Sequence, residues 1–151
     1  MNIRDYTPAD RAACLALFDS NVPDFFVEEE RAGFAEFLDD LPGPYLVIVD
    51  EAGAVVGCGG HAVTPGTRCT YLCWGMVRRD LHGTGLGRLL FDARLDAIRA
   101  DPGVDEVALD TSQHTRGFYE KRGFVTESVL RDGYAPGLDR CDMRLTLPAR
   151  P

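Results

Sequence analysis

The stretch VRRDLHGTGLGRLLF, residues 77–91, places Gly83, Gly85 and Gly87 at alternate positions between an apolar, strand-like run and an amphipathic, helix-like one. Inside regular structure a glycine costs roughly 0.5–1 kcal/mol against alanine, so three of them need a reason. One reason is a tight turn and nothing more. The other is a backbone that must lie against something bulky and charged. The first amides of a helix lack intrahelical partners and sit at the positive end of its dipole, so a glycine-rich strand-to-helix turn suits an anion. Two common nucleotide motifs do not fit. A Walker P-loop ends in Gly-Lys-Ser/Thr, whereas Gly87 is followed by Arg88 and Leu89. A dinucleotide G-x-G-x-x-G needs a third glycine where its two possible registers hold Arg88 and Leu90.

The elements around this turn follow from periodicity and punctuation. RCTYLCWGMV leads into it as a strand, and from Gly85 a helix is predicted with Leu86, Leu89, Leu90, Ala93 and Ala97 on one face, ending before Pro102-Gly103. Upstream, IRDYT reads as a short strand and TPADRAACLALFDS as a helix with Thr7 as cap, Pro8 first and Asp10 third. Phe34, Phe37, Leu38 and Leu41 mark a second helix stopped by Pro42-Gly43, and PYLVIVDEAGAVVGCGGHAV reads as a hairpin around 51–53. Downstream come the strand DEVALDTS, a short helix in HTRGFYEKRGF ending at Gly123, and a final hairpin, VTESVLRDGYAPGLDRCDMRLTL, with a long connection. The order β-α-α-β-β-β-α-β-α-β-β predicts an α/β chain with a mixed sheet and helices on both faces.

The 151 residues are 45% hydrophobic and 26% charged, the make-up of an ordinary globular chain, and are read as one domain over 1–151. No apolar run approaches the roughly 20 residues of a membrane span, and MNIRDYTPAD is no signal peptide, so a cytoplasmic protein without membrane partners is expected. Cys14, Cys58, Cys69, Cys73 and Cys141 are scattered without a CxxC pair, which predicts reduced thiols and no metal. A net charge of −8 argues against nucleic acid as a partner. Against that background Arg78, Arg79, Arg88 and Arg94 gather around the glycine turn, with His82 among them.

The turn resembles the pyrophosphate-binding motif of the GNAT superfamily of acyl-CoA N-acyltransferases: a valine ending a strand, then Arg/Gln-x-x-Gly-x-Gly/Ala opening a helix. Val77, Gly85 and Gly87 match, and His82 stands where the family has Arg or Gln. GFYEKRGF, residues 117–124, resembles the family's (F/L)YEKxGF segment, in the correct order along the chain. The likeness covers essentially the whole sequence. It implies the GNAT fold, coenzyme A as carrier, and acetyl-CoA as donor in an N-acetyltransferase that moves acetyl directly to a primary amine in a ternary complex. It implies that the strand before the turn splays from the next parallel strand and takes the pantetheine arm between them. Backbone at Met76 and Val77 would then hold the arm, and His82, Gly83, Thr84, Gly85, Leu86, Gly87 and Arg88 the diphosphate. Ser112 and His114 would border the pantetheine.

Tyr119 is the implied general acid, since a phenol of pKa about 10 can protonate a thiolate of pKa about 8.5; otherwise it is a core tyrosine. The base stays open. The strand TYLCWGM offers no carboxylate, leaving His61, Glu28 or Glu29, Asp110, or water. The acceptor is expected between residues 21–26 and 131–140, with Phe25, Phe26 and Tyr134 as apolar walls and Asp24 and Asp139 gripping a cation. The acidic surface predicts a cationic small-molecule or peptide amine, and homodimerisation stays open. The alternative function is a CoA-binding regulatory module without turnover, favoured by the missing strand carboxylate and by His82.

Overall fold

The computed structural model describes residues 1–149. β1 (Asn2–Asp5) leads through a 3-10 turn at Pro8–Asp10 into α1 (Arg11–Ser20). A second 3-10 turn at Glu28–Glu30 precedes α2 (Arg31–Asp39). β2 (Tyr45–Val49), β3 (Val55–Val63) and β4 (Cys69–Val77) follow, then α3 (Leu86–Arg99), β5 (Glu106–Thr111), α4 (Arg116–Glu120), β6 (Val125–Ala135) and β7 (Leu138–Thr146). The strands form one sheet in the order β1-β2-β3-β4-β5-β7-β6. Every neighbouring pair is antiparallel except β4 with β5, the pair joined by the α3 crossover. This is the mixed sheet expected from the sequence. Among the described residues no helix is long and apolar enough to cross a membrane.

One face of the sheet carries α1 and α2, which bury Cys14, Phe18, Phe34 and Leu38 against Tyr45, Val47, Cys58 and Met76. The other face carries α3 and α4. Leu86 and Leu90 pack on Ile48, Val56 and Val77, while Phe91, Leu95 and Ile98 pack on Val107, Leu109 and Met143. The start of α1 is fixed by Asp10, which accepts from the Thr7 amide at 2.9 Å and pairs with Arg4 at 2.8 Å. The Arg4 guanidinium, foremost, pulls the buried Asp10 carboxyl down to about 2.

Two expectations are corrected. The buried face of α3 is Leu86, Leu90, Phe91, Arg94, Leu95 and Ile98, and Leu89 is exposed. Arg94 occupies a core position, so it lies under the sheet and not beside the glycine turn. The last hairpin has no long connection: β6 reaches Ala135, β7 begins at Leu138, and Ala135 pairs with Leu138. The turn residues between 131 and 137 sit in a register irregularity after Leu130, where Asp132 takes φ +54°.

β4 carries a bulge against β3. Gly60 pairs with Cys73 and Cys58 with Met76, so Trp74 and Gly75 together oppose Gly59. Trp74 has φ +44°, a left-handed conformation that costs a non-glycine residue roughly 1–2 kcal/mol. Its surroundings hold it there. The Tyr45 hydroxyl donates to the Trp74 carbonyl at 2.7 Å, and the indole packs 5.0 Å from the Phe34 ring and 6.0 Å from Phe26.

Candidate active site

Pairing between β4 and β5 stops after three residues, at Tyr71↔Ala108. β5 continues along β7 as far as Thr111↔Cys141, and β4 along β3 as far as Val77↔Gly57. The two parallel strands therefore part beyond Tyr71, leaving a wedge that opens toward the start of α3. Unpaired strand backbone on both sides of such a wedge can accept an extended chain as an additional strand.

The glycine turn stands at the open end. Gly83 and Gly85 have φ +78° and +93°, and a Cβ on either would meet no heavy atom within 4 Å. That is open space above the first turn of α3. Gly87 lies within the helix, where a Cβ would come no closer than 3.7 Å to the Phe118 ring. Exposed Thr84 closes the turn locally, its hydroxyl donating to the Leu81 carbonyl at 2.6 Å. The site's geometry and the donor groups of this turn fit a diphosphate.

The nearby cations are less free than the sequence suggests. Arg78 pairs with Asp80 at 2.6 Å, Arg79 with Asp24 at 3.5 Å and Arg88 with Asp92 at 3.8 Å. His82 folds back, with Nε2 2.9 Å from the Val77 carbonyl and Nδ1 3.3 Å from Arg79 Nη1. An Nε2–H tautomer satisfies both contacts, donating to the carbonyl and accepting from the guanidinium.

Loop 21–26 is anchored by buried Asn21, whose amide donates to the Leu17 carbonyl at 2.9 Å and to Val77 at 3.0 Å. The anchor sets Phe25 across the mouth of the wedge, its ring 4.8 Å from His82 and 5.8 Å from His114. Phe26 instead stacks 5.0 Å from Phe18 in the core. Asp24 is engaged by Arg79, and Met76 and Val77 are buried at the end of β4. Ser112 is also buried, and its hydroxyl accepts the His114 amide at 3.3 Å. Tyr119, half-buried on α4, meets Phe118 at 5.1 Å and Phe124 at 5.6 Å through its ring.

A second cluster lies on the opposite face of the wedge. Val107 and Leu109 bury beneath α3 and α4, so alternation turns Asp110 toward the α1–α2 face. There the Tyr134 hydroxyl donates to the Asp110 carboxylate, and Arg140 approaches the same carboxylate at 3.8 Å. Burial, then the bond to Asp110, pushes the Tyr134 phenol up. Glu30 completes the group from the α1–α2 segment: burial and then nearby Asp110 and Glu29 raise its carboxyl, against the Val27 amide that it accepts at 3.2 Å. Asp139 supports the hairpin, accepting the Asp132 amide at 2.9 Å.

Other candidate bases stand apart. Gly59 presents its missing Cβ to Leu90 and Arg94, so His61, two residues on, shares the α3 face. Burial, and then Arg94, lowers the His61 imidazole. Glu28 and Glu29 are exposed on the 3-10 turn. Sequence reasoning does not single out Glu30, because EEE reads as one solvated run; only the fold separates its half-buried member from the other two.

The family model for the acetyltransferase (GNAT) family matches residues 14–124. The chain belongs to the GNAT acetyltransferase family. A search of curated proteins returned no match. Among solved structures, a Desulfovibrio desulfuricans protein assigned to the GNAT family of acetyltransferases is 26% identical, with TM-score 0.82 over 97% of this chain and 99% of that one. An aminoglycoside 6'-N-acetyltransferase complexed with coenzyme A is 18% identical, with TM-score 0.80 over 100% of this chain and 99% of its own. Ribosomal-protein-alanine N-acetyltransferase from Brucella melitensis is 22% identical, with TM-score 0.75 over 97% and 100%. The last two likenesses are of fold.

Proposed function

We propose that this chain is an acetyl-CoA-dependent N-acetyltransferase acting on a primary amine of a small molecule or peptide, by direct attack in a ternary complex. The carrying observation is the wedge beyond Tyr71↔Ala108, which opens onto the unobstructed glycines at 83 and 85. A strand-like pantetheine and a diphosphate match those two features in order. The match with an aminoglycoside acetyltransferase bound to coenzyme A supports the donor and the amine class.

In the reaction the amine nitrogen attacks the thioester carbon, the C–S bond breaks, nitrogen loses one proton and the departing sulfur gains one. On this reading the amides of the turn from Gly83 to Gly87 hold the diphosphate, and the Met76–Val77 backbone with Ser112 and His114 borders the arm. Tyr119 delivers the proton to sulfur. Asp110, steadied by Tyr134 and Arg140, receives the ammonium group. Glu30 takes its proton: a carboxyl raised by burial is a stronger base than an exposed one.

The test is free-thiol release from acetyl-CoA across an amine panel, alongside thermal shift. Acetyl-CoA at about 100 times its Kd adds about 2.7 kcal/mol to native stability, and Gly87→Val should fold yet lose that gain. Gly87→Val protein that binds like wild type would place the phosphates elsewhere. Binding without thiol release for any amine would favour a CoA-responsive module over an enzyme.

A further inference from the structure

α3 sends one charged side chain under the sheet. Arg94 is 3% exposed. Two glycines make room for it: a Cβ on Gly75 would stand 3.0 Å from both Nη1 and Nη2, and one on Gly59 would stand 3.3 Å from Cζ. Nη1 donates to the Gly60 carbonyl at 3.4 Å, and buried Nε has no partner. Among the described residues no carboxylate pairs with this guanidinium, although Arg78, Arg79 and Arg88 each have one. A buried charge costs several kcal/mol unless it is answered, so a cation kept without an anion needs a use.

The titratable groups that face it supply no anion. His61 approaches from β3, its imidazole lowered by burial and then by the nearby positive charge. The same charge favours the thiolates of Cys58 on β3 and Cys73 on β4, but burial raises Cys58 well above its ordinary value. Burial outweighs that effect at Cys73, whose thiol is pushed up to about 12. On the far side of the guanidinium is Gly75, the second residue of the bulge. Gly75 is exposed, in the part of β4 that has parted from β5. One side-chain-free residue therefore separates a permanent buried cation from the open wedge.

We propose that Arg94 is the fixed positive charge of the transfer site, a positioning residue whose field acts through the Trp74–Gly75 bulge on the acyl oxygen and the departing sulfur. This rests on the acetyl-CoA reading. Negative charge gathers on those two atoms as the C–S bond breaks, and a preorganised cation in a water-poor setting stabilises it without reorganising. The absent carboxylate is then an advantage, since a paired Arg94 would present little net field.

The test uses coenzyme A and the full chain. The pKa of the bound CoA thiol is read from thiolate absorbance across pH, in wild type, Arg94→Met and Arg94→Lys, with affinity from calorimetry. In wild type the bound thiol should titrate below the free one. Arg94→Met should raise it by about one unit, a tenfold change in the protonation equilibrium, and lower kcat about 10- to 100-fold, below the full loss of a contacting oxyanion donor. Affinity for CoA should stay within a few-fold, and Arg94→Lys should lie near wild type. Tyr119 is unchanged in all three proteins, so its own bond to sulfur cancels. A bound thiol in wild type that titrates at or above the free value overturns the proposal without any variant, as does an Arg94→Met protein whose bound thiol matches wild type. Failure of the wild-type chain to bind CoA at all would overturn the donor reading instead, and this inference with it.

Discussion

Tyr119 is held by its ring: Phe91, Phe118 and Phe124 pack edge-on around it, and among the described residues no protein group bonds its hydroxyl. Tyr119→Phe should therefore leave stability and CoA affinity nearly unchanged and lower kcat by roughly 10²–10⁴-fold, the usual loss with a general acid. A kcat at the wild-type level, with chemistry limiting, would return proton delivery to water. Glu30 gives a different signature. Its folded pKa is raised, so the native state holds the proton more tightly than the unfolded chain, and stability from this group is gained as pH falls toward its ordinary value and lost as pH rises. Glu30→Gln keeps an acceptor for the Val27 amide and removes the buried charge. Its melting temperature at neutral pH should equal or exceed wild type, while kcat drops and the acid limb of the rate profile disappears. A variant that is less stable and equally active would make Glu30 a cap and nothing else. Tyr119 and the glycines are legible in the sequence because each stands in a spaced motif. Glu30 and Arg94 are not, since what distinguishes them is burial, and acidic or basic side chains are ordinarily surface residues.

Most elements can be read from periodicity, because their apolar faces and stop signals agree. α2 ends where Pro42-Gly43 demands, and β5 keeps its alternation of Val107 and Leu109. The inward row of α3 contains an arginine, which shifts the apparent apolar face in the sequence onto Ala93 and Ala97. The β6–β7 hairpin reads as one with a long connection because Asp132, Gly133, Pro136 and Gly137 are turn residues, here absorbed by a bulge and a short reversal. The entry to α1 yields a prediction at this scale. Asp10 titrates at about 2 when folded, below its ordinary 3.8, so its stabilisation is complete above the unfolded value and is lost as pH falls through about 2. The difference corresponds to about 2 kcal/mol. Asp10→Asn should lower unfolding free energy at pH 7 by an amount of that order and flatten the stability curve between about pH 4 and 2. Equal acid slopes in both proteins would show that Arg4 and Thr7 hold Asp10 no better than water does.

Across the whole molecule the net charge of −8 is unevenly balanced. The arginines by the glycine turn carry their own carboxylates, whereas Glu28, Glu29, Glu30 and Asp110, the last of them 3.8 Å from Arg140, are placed by the proposed function at the acceptor side. A cationic amine should be drawn there by a field that salt screens over about 8–10 Å at moderate ionic strength. For such a substrate kcat/KM should fall as salt is added, and Asp110→Asn should lower it and reduce its salt response. A flat response, or preference for an anionic acceptor, would count against the cationic class. The short β4–β5 seam has a mechanical consequence as well. Only Cys69, Thr70 and Tyr71 meet Glu106, Val107 and Ala108, whereas β5 meets β7 over six residues. The sheet is thus two leaves sharing a narrow spine, and a ligand lying in the wedge supplies the missing rungs of the ladder. Occupancy should stiffen the boundary between the leaves, so amide exchange in β4 and β5 should slow together on both sides of the gap while the outer strands, β1 and β6, keep their own rates.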